Sequence, residues 1–257
     1  MDEYTIKYTK DPLNEQKYKL SPHIVKKYPG RVLILCSDKC ADFCEFCFRQ
    51  HTIKNLPPVD WHEIVDHLVK DSSLFEVILS GGDPLSLSNE ELRHALTQIS
   101  AVQHIKFLRI HTRFPILNPS RVDDEFLNIL SEASASSFKI IVVLHINHAD
   151  EFKDERCKQS IINLRQSGVT LLSQSVLLNG VNNSEEALRD LFILCCSLGV
   201  TPYYLHLLDK VEGSSRFYSS EEEAKVLIQK LRSSLPGYMV PRLVREDEGV
   251  WHKTVVC

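Results

Sequence analysis

Cys36-Ser37-Asp38-Lys39-Cys40-Ala41-Asp42-Phe43-Cys44-Glu45-Phe46-Cys47-Phe48-Arg49 is the stretch on which the reading of this chain turns. Four of the eight cysteines fall within these twelve residues from Cys36 to Cys47, directly after the apolar run 32–35. Cys40, Cys44 and Cys47 have the spacing CxxxCxxC, which is neither the paired-hook pattern of zinc sites nor a four-cysteine ferredoxin pattern. Three thiolates on one short loop can hold three irons of a 4Fe–4S cubane and leave the fourth iron open to a small molecule. A zinc knuckle and a set of buried small hydrophobes are the plainer alternatives. The interleaved Asp42 and Glu45 speak against the second. Cys36 is ambiguous, since it could serve as a fourth ligand, but its place at the end of an apolar run predicts a strand position.

Composition bounds the setting. A chain of 257 residues with 43% hydrophobic content can bury a substantial core. The start, Met1-Asp2-Glu3-Tyr4, is charged, and no apolar run approaches membrane-spanning length, so a cytoplasmic location is expected, where clustered thiols are metal ligands rather than disulfides. With 30 basic and 34 acidic residues the net charge is −4, which does not suggest direct nucleic-acid binding.

Residues 1–30 are polar and carry Pro12, Pro22 and Pro29, and read as an irregular lead-in; residues 31–257 read as one α/β unit. Apolar, β-branched runs recur at 32–35, 77–79, 105–110, 140–144, 170–178, 203–208 and 239–244. Helical periodicity occupies 61–69, 89–99, 123–130, 161–166, 184–196 and 220–231. Ser88 with Glu91, and Ser219 before three glutamates, signal helix starts. Strand alternating with helix predicts a parallel sheet. An eight-stranded barrel takes ~250 residues, so about six to seven parallel strands of an incomplete (β/α) barrel are expected. Chemistry in such folds sits where strands end. Those ends carry the cysteine loop, Ser80-Gly81-Gly82-Asp83-Pro84, His111-Thr112-Arg113, His145-Ile146-Asn147-His148, Asn179-Gly180, Asp209-Lys210 and Arg245-Glu246.

CxxxCxxC after one strand and Gly-Gly-Asp-Pro after the next resemble the radical S-adenosylmethionine (SAM) superfamily. More narrowly, the chain resembles the lysine 2,3-aminomutase family, in particular its elongation factor P β-lysylation (EpmB) branch. The likeness runs through Asp11-Pro12-Leu13, Tyr28-Pro29-Gly30-Arg31, Cys44-Glu45-Phe46-Cys47-Phe48-Arg49, Leu79-Ser80-Gly81-Gly82-Asp83-Pro84-Leu85, His145-Ile146-Asn147-His148, Gln174-Ser175-Val176, Pro202-Tyr203-Tyr204 and Leu208-Asp209-Lys210-Val211-Glu212-Gly213.

The resemblance implies an isomerase that moves the amino group of L-lysine from C2 to C3, giving (R)-β-lysine. It implies a 4Fe–4S cluster on Cys40, Cys44 and Cys47 that binds SAM, and pyridoxal 5′-phosphate (PLP) on Lys253. Gly81, Gly82 and Asp83 would approach the methionine part of SAM, with Arg113, His145, Asn147 and Gln174 as polar positions around SAM and PLP. Arg31, with Lys27 or Tyr28, would hold the PLP phosphate. Arg49 would grip the substrate carboxylate, because a guanidinium fork matches it. Asp209 and Glu246 would read the distal ammonium. A low-potential electron donor is implied, a homodimer is allowed, and elongation factor P is linked only indirectly, through its ligase.

The chain departs from the family pattern at Gln50, which stands where an arginine usually follows Arg49. It also has a shorter start, and it ends four residues after Lys253. The run Glu248-Gly249-Val250-Trp251-His252 lacks the glycines that precede the lysine in other aminomutases, as the short branch does. Two other readings stay open at this point. One is a radical SAM enzyme without PLP, acting on another substrate; the other is a non-enzymatic iron–sulfur protein. Lys210, beside Asp209, competes with Lys253 for the PLP role.

Overall fold

The computed structural model describes residues 7–135 and 138–257. The charged terminus and the start of the expected lead-in, residues 1–6, lie outside the described residues. Among the described residues nine strands form one sheet in the order β1 to β9: β1 (Ile24–Val25), β2 (Arg31–Ser37), β3 (Glu76–Gly81), β4 (Phe107–Thr112), β5 (Lys139–His145), β6 (Thr170–Val176), β7 (Thr201–His206), β8 (Arg242–Arg245) and β9 (Thr254–Val255). The seven strands β2 to β8 are parallel, and β1 and β9 add antiparallel edges. The sheet does not close on itself. Incomplete closure leaves one side of the barrel open to a large substrate or cofactor.

Helices α1 (Trp61–Lys70), α2 (Asn89–Ser100), α3 (Phe114–Leu117), α4 (Asp124–Ser134), α5 (Glu155–Gln166), α6 (Glu185–Ser197) and α7 (Glu221–Ser234) cover the outer face. Their starts follow the capping chemistry of short polar side chains. Ser88 makes a capping box with Glu91, as its spacing predicts. The cap of α7 is Ser220 rather than the expected Ser219, because only Ser220 stands three residues before the glutamate, Glu223, that reaches back. The last parallel strand is shorter than the apolar run 239–244, since Gly237–Met239 is a 3-10 turn and Pro241 has no N–H to donate.

The expected lead-in is more ordered than its prolines suggest. Glu15–Tyr18 is a 3-10 turn, and Ile24 and Val25 pair with Ile34 and Leu33. Both β1 residues are buried. Pairing them covers the edge of β2 that an open barrel would leave exposed.

Alternation along the strands sorts side chains between two environments. Val32, Ile34, Val77, Leu79, Leu108, Ile110, Ile140, Val142 and Leu144 face the helices and pack with residues such as Leu68, Leu92, Phe126, Ile161 and Phe192. The alternate positions face the barrel interior, and many are polar: Arg31, Glu76, Ser80, Arg109, His111, His145, Gln174, Tyr204 and His206. A barrel that only needed to be stable would fill these positions with branched apolar side chains. Near the N-terminal ends of the strands, Glu76 and Arg109 form a forked ion pair, with Nη2 2.6 Å from each carboxylate oxygen. Among the described residues no helix is long and apolar enough to cross a membrane.

Candidate active site

The cysteine loop leaves the end of β2 and is zipped to the turn that leaves β3. The Gly82 N–H donates to the Ser37 carbonyl at 2.7 Å, and the Asp83 N–H donates to the Lys39 carbonyl at 2.8 Å. This closeness explains the two glycines. A Cβ on Gly82 would lie 2.2 Å from the Lys39 carbonyl oxygen, and one on Gly81, whose φ is +106°, would lie 2.8 Å from the Leu35 Cα. Backbone, rather than a flexible side chain, occupies that space, so the turn and the loop are interlocked. Asp83 is turned inward: its two oxygens accept the N–H groups of Leu85 (3.0 Å) and Arg113 (2.7 Å), and burial pushes its carboxyl up to about 6. It joins the β3 turn to the end of β4.

Cys40, Cys44 and Cys47 are all partly exposed on this loop, whereas Cys36 lies in β2 and faces the helical core. That difference gives Cys36 the strand position that its place at the end of an apolar run predicts. Its thiol sits 3.5 Å from the Ile34 carbonyl, and burial pushes it up to about 12. Burial also pushes the Cys40 thiol up to about 12 and raises that of Cys47. A bound metal reverses this by stabilising thiolate. Among the described residues no three His, Cys, Asp or Glu side chains converge on a single ion. The ligands of a cubane bind different irons and stand further apart than those of one ion. Arg113, from the end of β4, reaches the loop: its Nη1 is 2.8 Å from the Cys44 sulfur, its Nη2 is 2.9 Å from Glu151, and its buried Nε has no partner among the described residues. A cation beside a thiolate ligand suits an anionic cluster. Phe46, between Cys44 and Cys47, lies 5.7 Å from the His145 ring and edge-on to Phe217 at 6.0 Å.

Glu151 escaped the sequence reading. Besides Arg113 it holds the N–H groups of Asn147 (2.7 Å) and His148 (3.0 Å). Asn147 is itself buried, and its side-chain oxygen accepts the Val176 N–H at 2.9 Å, which fastens the end of β5 to that of β6. Asn182 completes this network by donating to the Asn147 and Val176 carbonyls. Of the polar positions expected near the cofactors, His145 and Gln174 line the interior, while Asn147 is engaged in shaping the rim.

A second cluster gathers around Glu246, at the end of β8. Lys253 lies 2.6 Å from Glu246 Oε2, while Lys27 and the Tyr28 hydroxyl contact its Oε1. Burial alone would raise this carboxyl, but Lys253, Lys27 and Tyr28 hold it down at about 2. The antiparallel hairpin of β8 and β9 carries Lys253 back to this point. Lys210, in contrast, is exposed, and its carbonyl accepts the Thr9 N–H. Arg31 stacks on Tyr28 with its guanidinium 4.5 Å from the ring, and its buried Nε has no partner among the described residues. Lys27 approaches the same Tyr28 ring to 5.5 Å, and an unsatisfied buried cationic donor there is what an anionic group such as phosphate would complete.

Arg49 faces the same interior, where it pairs with Glu15 and donates to Ser80 Oγ at 3.3 Å. Burial pushes the Asp209 carboxyl up to about 7, even though Lys253, Arg49 and Lys27 favour its charge. His111 and His206 stand nearby on β4 and β7, and burial holds both well below the usual histidine range; His145 is held at about 3. The interior imidazoles are therefore neutral and do not add to its positive charge. His206 and Glu15 were not predicted, and His111 was read only as part of the strand end His111-Thr112-Arg113. Strict alternation in Phe107-Leu108-Arg109-Ile110-His111 was the one available signal, since it turns Arg109 and His111 to a single face.

The Radical SAM superfamily model matches residues 34–192. L-lysine 2,3-aminomutase of Escherichia coli is 40% identical over 258 residues, covering 98% of this chain and 74% of that protein. L-lysine 2,3-aminomutase of Buchnera aphidicola is 39% identical, over 94% of this chain and 71% of that protein. The chain belongs to the lysine 2,3-aminomutase family of the radical SAM superfamily. A solved structure of Streptococcus suis SuiB bound to S-adenosylmethionine superposes with a TM-score of 0.61 and 17% identity, over 86% of this chain and 51% of that chain, which concerns the fold alone. Radical SAM members use a 4Fe–4S cluster and SAM, and lysine 2,3-aminomutases add PLP. The loop with three thiols, the cation at Cys44 and the interlocked glycine turn fit the first pair. The Lys253 cluster with the unsatisfied Arg31 fits the third.

Proposed function

We propose that this member of the lysine 2,3-aminomutase family converts L-lysine to (R)-β-lysine, with PLP on Lys253. The observation that carries the reading is the Lys253–Glu246–Lys27–Tyr28 cluster, which faces the same interior as Arg49, Asp209 and the cysteine rim. A radical SAM enzyme without PLP has no use for a half-buried lysine held on Glu246 together with Lys27 and Tyr28, and a non-enzymatic iron–sulfur protein has no use for a polar barrel interior.

Cluster and SAM together supply the hydrogen-abstracting radical, and PLP supplies the carrier for the migrating nitrogen. The chain's own side chains do the placing. Cys40, Cys44 and Cys47 hold three irons, with Arg113 balancing charge at Cys44. Gly81, Gly82 and Asp83 keep the β3 turn against the cysteine loop, so that backbone packs on the loop that would hold the cluster. His145 and Gln174 line the cavity as neutral polar groups, and Asn147 sets the rim that carries them. Arg31 and Lys27 bind phosphate, with Tyr28 as a flat support. Arg49 binds the substrate carboxylate. Asp209 and Glu246 bind the distal ammonium, and two acids there select lysine over a neutral amino acid. Glu246 acts twice: it neutralises Lys253 in the free protein, and it has capacity for the substrate ammonium once Lys253 is engaged elsewhere.

The product is a β-amino acid suited to attachment by a ligase, and the branch resemblance points to elongation factor P as its destination. A low-potential donor must reduce the cluster. The test is anaerobic reconstitution with iron, sulfide, PLP and SAM, followed by dithionite and L-lysine. β-Lysine detected by chromatography is the expected outcome. Four irons per chain with SAM cleavage but no β-lysine would overturn the aminomutase reading.

A further inference from the structure

Asp11 folds the chain ahead of β1 into a turn. One of its carboxylate oxygens accepts the Glu15 N–H at 2.9 Å, and the other accepts the Gln16 N–H at 3.2 Å. Asn14 takes the left-handed conformation (φ 51°), and the 3-10 turn Glu15–Tyr18 begins with Glu15 buried. The same turn is tied to the C-terminal segment, because Lys17 and Asn14 both bind Glu248, at 2.5 and 2.9 Å. Glu15 is thereby fixed from two sides.

Its carboxylate meets Arg49 along one edge of the guanidinium, with Nε to Oε2 at 2.9 Å and Nη2 to Oε1 at 2.6 Å. Nη1 donates to Ser80 Oγ at 3.3 Å. Both partners of the ion pair are nearly covered, with side chains 11% and 10% exposed. A guanidinium has five N–H donors in a rigid fork. Glu15 takes those on Nε and one on Nη2, and Ser80 takes one on Nη1. One donor remains on each terminal nitrogen, and those two nitrogens form the end-on edge, which can receive a second carboxylate side by side.

We propose that Glu15 is a positioning residue for carboxylate recognition: it holds Arg49 side-on so that the end-on edge is presented to the α-carboxylate of the substrate. This rests on the reading of Arg49 as the carboxylate-binding residue. An arginine without such a partner would have to be ordered when substrate binds, and that ordering subtracts from affinity. Here the ordering is complete in the free protein. The Glu15–Arg49 pair is also neutral overall, so the free edge offers direction more than net charge. It favours an amino acid whose carboxylate lies in the guanidinium plane over a diamine of the same length.

The experiment compares L-lysine with 1,5-diaminopentane, which keeps both amines and lacks the carboxylate, on cluster- and PLP-replete enzyme. For Glu15→Gln, isosteric but uncharged, KM for lysine should rise about ten- to hundredfold, the worth of hydrogen bonds to a charged group. The inhibition constant of 1,5-diaminopentane, kcat and iron content should stay within about threefold, a shift well under one decade of affinity. Glu15→Asp should restore part of the lysine affinity. In an Arg49→Ala background Glu15→Gln should add nothing, since the two act as one unit. An unchanged KM, a lowered KM (the mark of a gate) or an equal rise in both constants would overturn the proposal. If Glu15→Gln does not fold, Asp11→Asn, which loosens the turn and leaves Glu15 in place, should give the same carboxylate-selective loss; an unselective loss or none overturns it. Wild-type protein that holds its cluster yet neither binds nor converts lysine would overturn the aminomutase reading as well, whereas active wild type with an indifferent Glu15 variant removes this inference alone.

Discussion

At the scale of single residues, charge and burial decide what each group can do. Lys253 is held by Glu246 at 2.6 Å, while Lys210 faces solvent. Borohydride reduction followed by peptide mapping should therefore place a phosphopyridoxyl group on Lys253. Lys253→Ala should keep its iron and cleave SAM slowly, yet form no β-lysine; a label on Lys210 would contradict the assignment. Asp209 is a different case, because burial pushes its carboxyl up to about 7. Its folded value lies above its unfolded one, so between about pH 4 and 7 the folded chain binds more protons than the unfolded chain, and stability falls as pH rises through that window. Asp209→Asn removes this dependence. The variant should melt higher than wild type at pH 8, with the gap closing toward pH 4, when both are followed without ligands. The same change should reduce discrimination between lysine and norleucine, measured as the ratio of their binding constants, since the distal ammonium loses a charge partner.

At the scale of elements, the two loops that leave β2 and β3 behave as one unit. Gly82 can take no side chain without moving the Lys39 carbonyl, which would lie 2.2 Å from the new Cβ. Gly82→Ala should cost about 1–3 kcal/mol, as overpacking against rigid groups does, and should lower the iron bound after reconstitution along with the melting temperature. The cysteines should divide by element. Ala at Cys40, Cys44 or Cys47 removes a loop ligand and should abolish most of the iron. Cys36→Ala leaves a small gap in the β2–helix core, costs about 1 kcal/mol and keeps the cluster. Iron analysis of the four proteins distinguishes these outcomes, and loss of iron in Cys36→Ala alone would reassign the ligand set.

At the scale of the whole molecule, an open barrel must stabilise an interior that its chemistry keeps polar. Glu76 and Arg109, one on β3 and one on β4, meet this need with a forked pair whose side chains are mostly covered. Removing one partner of a buried pair strands the other charge. Glu76→Ala should destabilise by about 3–5 kcal/mol, whereas replacing both residues by apolar ones of similar size should recover much of that loss. Denaturant unfolding of the single and double variants checks it. The edges are the second problem of an open barrel. β1 and β9 cover them, and β9 has a further consequence, because the hairpin that seals β8 also returns Lys253 to Glu246.

The order of strands and helices was legible in the sequence, since alternation of strand and helix periodicity is a local property of the chain. The cysteine loop and the glycine turn were legible for the same reason: each is a contiguous run whose residue types have narrow uses. Cys36 was ambiguous in one dimension and becomes plain once β2 turns it toward the helices. The lead-in was read as irregular because prolines mask short pairings, and β1 draws its stability from the edge of β2 rather than from its own two residues. Glu15 with Arg49, Glu151 with Arg113, and Glu246 with Lys27 lie 34, 38 and 219 positions apart. No local pattern pairs residues at such separations. The sequence by itself determined which chemistry the chain could carry, through residue types at fixed short spacing. Only the tertiary structure decided which charges meet, because the parallel sheet brings strand ends remote in sequence to one rim, and burial there makes each unpaired charge too costly to leave alone.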